Sequence, residues 1–230
     1  MSTALITGAS KGLGRALATA LLESGWVVIV DARDETALCS AYDGEAGVVL
    51  VPGDVSEPAH RGALTGAVRW HAGLDLLVNN ASRLGPSPQP TLADYPLDEL
   101  DRVYATNVLA PLALTQLLLP QLRASGGVVV NISSDAAVEP YQGWGGYGSS
   151  KAALDQWTRV LGAEEPTLAV YAFDPGDMRT DMHQAAFPGE DISDRPEPAT
   201  VVPAVLRLVQ QRPASGRYRV ADLLAPLAVA

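Results

Sequence analysis

This 230-residue chain has one cysteine and three histidines, and each scarcity excludes something. Cys39 alone cannot close an internal disulfide, and no Cys/His cluster has metal-ligand spacing, so no metal centre is expected. Positive charge is also short. Sixteen Lys and Arg face twenty-six Asp and Glu, a formal net charge of −10, which disfavours nucleic acid and anionic membranes as partners. Long hydrophobic runs are missing too. The most apolar stretch, Val108 to Leu122, is shorter than the roughly 20 residues that cross a bilayer. It also holds Pro111, Thr115, Gln116 and Pro120, and reads as a buried helix. The residues before Gly8 include Ser2, Thr3 and Thr7 and lack a basic segment followed by an apolar one. The expected location is therefore the reducing cytoplasm.

What is present is a regular alternation. Short apolar, mostly β-branched runs lie at Ala4-Leu5-Ile6, Val27–Val30, Val48–Val51, Leu74–Val78 and Val128–Ile132, with two more at Leu168–Phe173 and Arg217–Ala221. Continuous apolar runs are what parallel strands covered on both faces require. Between them, helical spacing recurs at Leu13, Ala16, Leu17, Ala20 and Leu21, then over about 57–70, 97–123, 147–163 and 199–211. The pattern predicts one α/β domain over residues 1–230, of Rossmann type: a doubly wound, seven-stranded, mostly parallel sheet with helices on both faces. Met178 to Pro198, with Pro188, Pro196 and Pro198, reads as an irregular loop at the substrate side.

The first chemical signal follows the first strand: Thr7-Gly8-Ala9-Ser10-Lys11-Gly12-Leu13-Gly14. Glycines there allow the backbone close to a pyrophosphate, and the N-terminus of the next helix offers unpaired N–H groups. Tight strand-to-helix turns use glycine for conformational reasons alone. Position after the first strand of an alternating pattern favours nucleotide binding.

Further along, Asp54-Val55 follows the third strand and Asn79-Asn80-Ala81 ends the fourth, with Ser82 after it. Asn107 lies in the long helix, and Ser134 stands thirteen positions before Tyr147, which opens Tyr147-x3-Lys151. Pro175-Gly176 ends the sixth strand, with Met178 and Thr180 beyond. In this order the motifs resemble the short-chain dehydrogenases/reductases, and the resemblance runs over nearly the whole chain. It departs at Ser82, where the family usually has glycine. The resemblance implies an oxidoreductase with Ser134, Tyr147, Lys151 and Asn107 as catalytic residues. It implies cofactor contacts from Gly8, Ser10, Lys11, Gly12, Leu13, Gly14, Asp54, Val55, Asn80, Pro175, Gly176, Met178 and Thr180, with Tyr147 and Lys151. It also implies a homodimer or homotetramer paired through the helices flanking the fifth strand, which carry Leu109, Leu112, Leu117, Leu118, Leu154, Trp157 and Val160.

The residue types suit that chemistry. Reducing a ketone by hydride transfer leaves an alkoxide in need of a proton. Tyrosine can supply it, although its ordinary pKa of about 10 is poorly matched to neutral pH. A lysine four positions on lies on the same helix face and is expected to favour the phenolate. Ser134 would donate a hydrogen bond to the substrate oxygen. An isolated Tyr-x3-Lys would be no more than a packed ring and a solvated charge. This chain, however, has only two lysines, Lys11 and Lys151, and both lie inside the two motifs. Pro111, at i+4 from Asn107, lacks the N–H that would bond the Asn107 carbonyl, which leaves that carbonyl able to hold a water, as in the family.

Cofactor choice turns on Val30-Asp31-Ala32-Arg33. A carboxylate at the end of the second strand would select NAD. The family's acid aligns with Ala32, however, and adjacent strand residues face opposite ways. Arg33, with Lys11 near it, fits a 2′-phosphate, so NADP(H) is expected. The alternatives are an NAD-dependent alcohol dehydrogenase and a non-catalytic nucleotide sensor. His60 and His71 read as surface residues and His183 as a solvated loop residue. Trp144 is either a wall of the substrate site or a packed ring. Asp177 and Arg179 could pair with each other.

Overall fold

Apolar strand residues on both sides demand two layers of cover, and the computed structural model, which describes residues 1–71 and 73–224, supplies them. The strands are β1 (Thr3–Ile6), β2 (Val27–Val30), β3 (Val48–Leu50), β4 (Leu76–Asn79), β5 (Val128–Ile132), β6 (Ala169–Asp174) and β7 (Gly216–Arg219). They form one sheet in the order β3-β2-β1-β4-β5-β6-β7. Every pairing is parallel, where a mostly parallel sheet was expected. The chain winds outward from β1 in one direction and from β4 in the other, which opens a crevice over their carboxyl ends.

The helices are α1 (Gly12–Glu23), α2 (Glu35–Ala41), α3 (Pro58–Trp70), α4 (Leu97–Tyr104), α5 (Ala110–Ser125), α6 (Gly145–Glu164), α7 (Asp181–Ala186), α8 (Val202–Gln211) and α9 (Val220–Leu224). The two-residue period of the strands sorts the core. Ile6, Val30, Val78 and Val130 meet Leu17, Leu21, Val205 and Leu208 from α1 and α8. Leu5, Ile29, Leu77 and Val129 meet Leu64 and Val68 of α3 and Leu114, Leu118 and Leu122 of α5. Each fully buried leucine contributes about 2 kcal/mol of apolar burial.

Three local features differ from expectation, and the expected long helix carries an added turn. The helix α2 has too few apolar positions to show periodicity, and it starts because the Asp34 carboxylate accepts from the Ala37 N–H. The long helix is continuous from Leu97 to Ser125, 29 residues, so by length and mean hydropathy alone it could span a bilayer. Here its Leu114, Leu118 and Leu122 face is core. It widens to a π turn at Ala105–Leu109, just before the proline that lacks a donor. The stretch expected to be irregular contains α7, capped by Thr180, whose hydroxyl accepts from the His183 N–H. Finally, β7 stops at Arg219, and Val220 and Ala221 open α9 instead of extending the strand; the Asp222 carboxylate accepts from the Arg219 N–H there.

Of the apolar residues expected to pair subunits, Leu118 and Leu154 belong to the core. Leu109, Leu117 and Val160 are exposed, and Leu112 and Trp157 are half-buried.

Candidate active site

The turn after β1 is built around glycine. Gly8 (φ +67°) and Gly12 (φ +59°) are in the left-handed region, which side-chain-bearing residues avoid. The Asn80 amide stitches this turn to the end of β4, donating to the Thr7 carbonyl at 2.8 Å and the Gly8 carbonyl at 3.0 Å. Lys11 precedes α1 and makes no side-chain cap, so the first N–H groups and the positive end of the helix dipole are left open.

They open onto a cavity of about 940 Å³ over the carboxyl ends of β1, β2 and β4. Gly8, Ser10, Lys11, Gly12, Leu13, Arg33, Asp54, Val55, Asn80, Met178 and Thr180 all line it. Gly14, Pro175, Gly176, Tyr147 and Lys151 are not on its wall. Gly14 instead makes room for Asn80: a Cβ there would sit 2.5 Å from the Asn80 Nδ2. An uncapped helix start, a glycine cradle and a cavity of this size fit the pyrophosphate and nucleosides of a dinucleotide.

Asp31 lines the same cavity but is buried. Its carboxylate accepts from the Gly8 N–H at 2.7 Å and lies 3.0 Å from the His60 Nε2. Burial raises its pKa, and the His60 and Gly8 contacts oppose that rise. His60, expected on the surface, is therefore buried, and Gly53 leaves space for its ring. Arg33 is exposed at the cavity rim. Lys11, expected beside Arg33, instead pairs with Asp181 at the start of α7, 2.6 Å away. Arg15, one helical turn beyond Lys11, also lines the cavity and was not expected to.

Behind the part of the wall formed by Ile132 and Ser82, α6 carries Tyr147 and Lys151. The lysine Nζ is 5.4 Å from the tyrosine ring centre and donates to the Ile132 carbonyl at 2.7 Å. Only 8% of Tyr147 and 2% of Lys151 are exposed. Burial pushes the Tyr147 phenol up to about 12, with the Ser82 and Ser134 hydroxyls opposing the rise and the Asp135 and Asp174 carboxylates adding to it. Burial also brings Lys151 down to about 8, although the Asp155 charge works against this. The expected lowering of the phenol by the ammonium is thus reversed in this closed arrangement, because desolvation dominates both groups.

The Ser134 hydroxyl donates to the Asp135 carboxylate at 2.9 Å and accepts from the Ala136 N–H. The Asn107 side chain is a brace. Its Oδ1 accepts from the Arg83 N–H (2.8 Å) and the Ser82 hydroxyl (3.2 Å), and its Nδ2 donates to the Arg83 carbonyl and the Ser150 hydroxyl.

An aromatic wall flanks Tyr147. The Trp144 ring lies 5.9 Å from that of Tyr147 and 5.8 Å from that of Phe187. Met182 and Ala186 of α7 pack against the cluster formed by Leu84, Ala136 and Tyr147. His183, expected in solvent, is mostly buried and packs against Phe187, ring centres 4.9 Å apart and planes tilted by 43°. Asp177 and Arg179 do not pair with each other: Asp177 lies near His183 and Arg195, and Arg179 pairs with Glu197.

Ser82, known from the sequence only as a departure from the family's glycine, contacts Tyr147, and Arg15, Asp155 and Arg217 join the site without having been expected there. Only Asp155 carried a legible signal, standing one helical turn after Lys151.

The profile of the short chain dehydrogenase family matches residues 2–191. The chain is 40% identical over 199 residues to a sepiapterin reductase of Mus musculus, covering 79% of this chain and 76% of that protein. It is 37% identical over 188 residues to a benzil reductase ((S)-benzoin forming) of Bacillus subtilis, with the same coverages. A short chain dehydrogenase of Shigella flexneri, solved in complex with NADP, superposes with a TM-score of 0.88 at 29% identity, covering 95% of this chain and 96% of that one.

Proposed function

The chain belongs to the short chain dehydrogenase family, and from that premise we propose that it is a single-domain NADP(H)-dependent carbonyl reductase with Tyr147 as its general acid. The observation that carries the reading is the buried Tyr147–Lys151 pair, with Ser134 beside it, whose partners Ile132 and Ser82 line the cavity that the uncapped, glycine-lined helix start opens onto.

NADPH, when bound, supplies the hydride. Gly8, Ser10, Gly12 and Leu13 would hold its phosphates, and Asp54 and Val55 would hold the adenine side. Arg33 would hold the 2′-phosphate, with Arg15 as a further cation. The Shigella flexneri structure with NADP supports the cofactor choice, as does the burial of Asp31, whose charge is taken up by Gly8 and His60. On the substrate side, the Ser134 hydroxyl turns from Asp135 to donate to the carbonyl oxygen, an interaction that strengthens as negative charge develops there. The Tyr147 hydroxyl then gives its proton to that oxygen. Lys151 as an ammonium stabilises the phenolate left behind, and Asn107 holds Ser82 and the Arg83 backbone in place around it. Met182 and Ala186 exclude water from the proton transfer.

The substrate is a small carbonyl compound. The aromatic wall of Trp144 and Phe187, together with the sepiapterin and benzil reductases among the relatives, favours one bearing a flat ring. Subunits pair as a homodimer or homotetramer through the exposed Leu109, Leu117 and Val160 on the faces of α5 and α6.

The test is NADPH consumption by the purified chain with a panel of aryl and alkyl aldehydes and ketones, sepiapterin and benzil included. Turnover with ring-bearing carbonyls is expected. No turnover with any member would overturn the assignment.

A further inference from the structure

A charged cluster lies directly behind the catalytic end of α6. Asp155 is one helical turn beyond Lys151, and its side chain is 2% exposed. Its Oδ1 accepts from the Ser133 hydroxyl, and its Oδ2 accepts from the Arg217 Nε at 2.9 Å. Arg217 comes from β7, at the far edge of the sheet, and its Nη2 is committed as well. One Nη2 donates to the Asp174 carboxylate at 2.8 Å and to the backbone carbonyl of Ser134 at 3.0 Å. Asp174 in turn accepts from the Gly176 N–H at 3.0 Å.

One guanidinium therefore joins three segments: the Ser133-Ser134 end of β5, the Pro175-Gly176 turn after β6, and the carboxylate behind Lys151. A planar fork with fixed donors can do this, whereas an ammonium cannot. Charge also balances. Two cations, Lys151 and Arg217, face two carboxylates, Asp155 and Asp174, and buried charges persist only when paired in this way.

We propose that Arg217 is a positioning residue for proton transfer: it fixes Asp155 as a charged carboxylate behind Lys151, keeping Lys151 an ammonium, and it fixes Ser134 through its backbone carbonyl. Burial drives both groups towards their neutral forms, and the contacts within the cluster oppose it. Burial raises Asp155, while Ser133, Arg217 and Lys151 lower it, and Asp155 is the group that supports the charge on Lys151. The other groups facing this cluster are Tyr147 on α6, the Ile132 carbonyl of β5, Asp135 beyond β5, Ser82 beyond β4 and Asp222 on α9. None of them replaces Asp155. The Ile132 carbonyl and the Tyr147 ring carry no formal charge, Ser82 is neutral, Asp135 and Asp174 act on Tyr147, and Asp222 lies near Arg217.

The experiment is the pH profile of kcat/KM for carbonyl reduction by the full chain, in wild type and in Asp155→Asn, Arg217→Met and Arg217→Lys, with circular dichroism confirming the fold of each. Reduction needs the protonated form, so activity falls on the alkaline side. In Asp155→Asn and Arg217→Met, the latter because Asp155 takes up a proton, that fall moves to lower pH by about one unit. Arg217→Lys keeps a cation, so the fall stays in place while the plateau kcat drops about tenfold through loss of the tie to Ser134.

Folded Asp155→Asn and Arg217→Met variants with an unmoved alkaline fall would overturn the proposal. So would an Arg217→Lys variant equal to wild type in kcat, and so would failure of all three to fold, which would make the cluster a stability element. The inference rests on the Tyr147–Lys151 reading. A wild-type chain without Tyr147-dependent turnover would overturn that reading itself, whereas an unmoved pH profile in an active enzyme would overturn only the role of Arg217.

Discussion

Replacing Gly14 by alanine isolates the packing that holds the cofactor turn. Its backbone conformation suits any residue, so the whole penalty is one of space. The added Cβ would sit 2.5 Å from the Asn80 Nδ2, 2.7 Å from the Gly8 carbonyl oxygen and 3.1 Å from the Ala9 Cα. Two of these neighbours are backbone. The third is an amide whose two hydrogen bonds, to Thr7 and Gly8, join β1 to β4. Overpacking costs about 1–3 kcal/mol, and each of the two disturbed hydrogen bonds adds about 1 kcal/mol. The expected loss is thus about 3–5 kcal/mol in urea unfolding, together with weakened NADPH binding in a fluorescence titration. Gly12→Ala is the control. There a Cβ meets only the Thr180 Cγ2 at 3.7 Å, so the left-handed backbone at φ +59° is the sole cost, about 1–2 kcal/mol. Equal losses in the two variants, or less than about 1 kcal/mol for Gly14→Ala, would refute the argument that Asn80 locks this turn.

Other perturbations address cofactor, substrate and assembly. Arg33→Ala should weaken NADPH binding about 10- to 100-fold and leave NADH unchanged, because a charge-assisted contact is worth about 1.5–3 kcal/mol; equal effects on both cofactors would remove Arg33 from the 2′-phosphate site. Trp144→Ala should raise KM for a ring-bearing carbonyl about tenfold while sparing a short alkyl aldehyde, since a stacked ring contributes about 1 kcal/mol beyond its buried area. If both substrates suffer alike, the wall is a packing element and not a specificity element. Leu117→Glu combined with Val160→Glu places charge on two apolar positions, each 43% exposed, and should lower the mass seen by light scattering. An unchanged oligomer would place the interface elsewhere.

The alternation of β-branched runs with helical spacing made the sheet legible, because a strand covered on both faces must be apolar throughout. Tyr147, Lys151 and Ser134 were legible because helix geometry and the order of the motifs constrain them together. What stayed hidden depended on partners distant in sequence. His60 looked like a surface residue, yet it is buried against Asp31, 29 positions away. Lys11 looked like a phosphate ligand, but Asp181, 170 positions on, engages it. Arg217 gave no signal at all, since its three partners come from α6, β6 and the end of β5. The α7 helix was missed because six residues with a threonine cap carry too little periodicity to read against the prolines that follow. The titration of Tyr147 was misjudged for a related reason: sequence places the lysine beside it but says nothing of how completely both are desolvated.

The most direct test replaces Tyr147 by phenylalanine, which keeps the ring against Trp144 and removes only the hydroxyl. Carbonyl reduction by NADPH should fall about 10²- to 10⁴-fold, the contribution of a positioned general acid, while NADPH affinity stays within about threefold and the fold is retained. Turnover within tenfold of wild type in that variant would contradict the account.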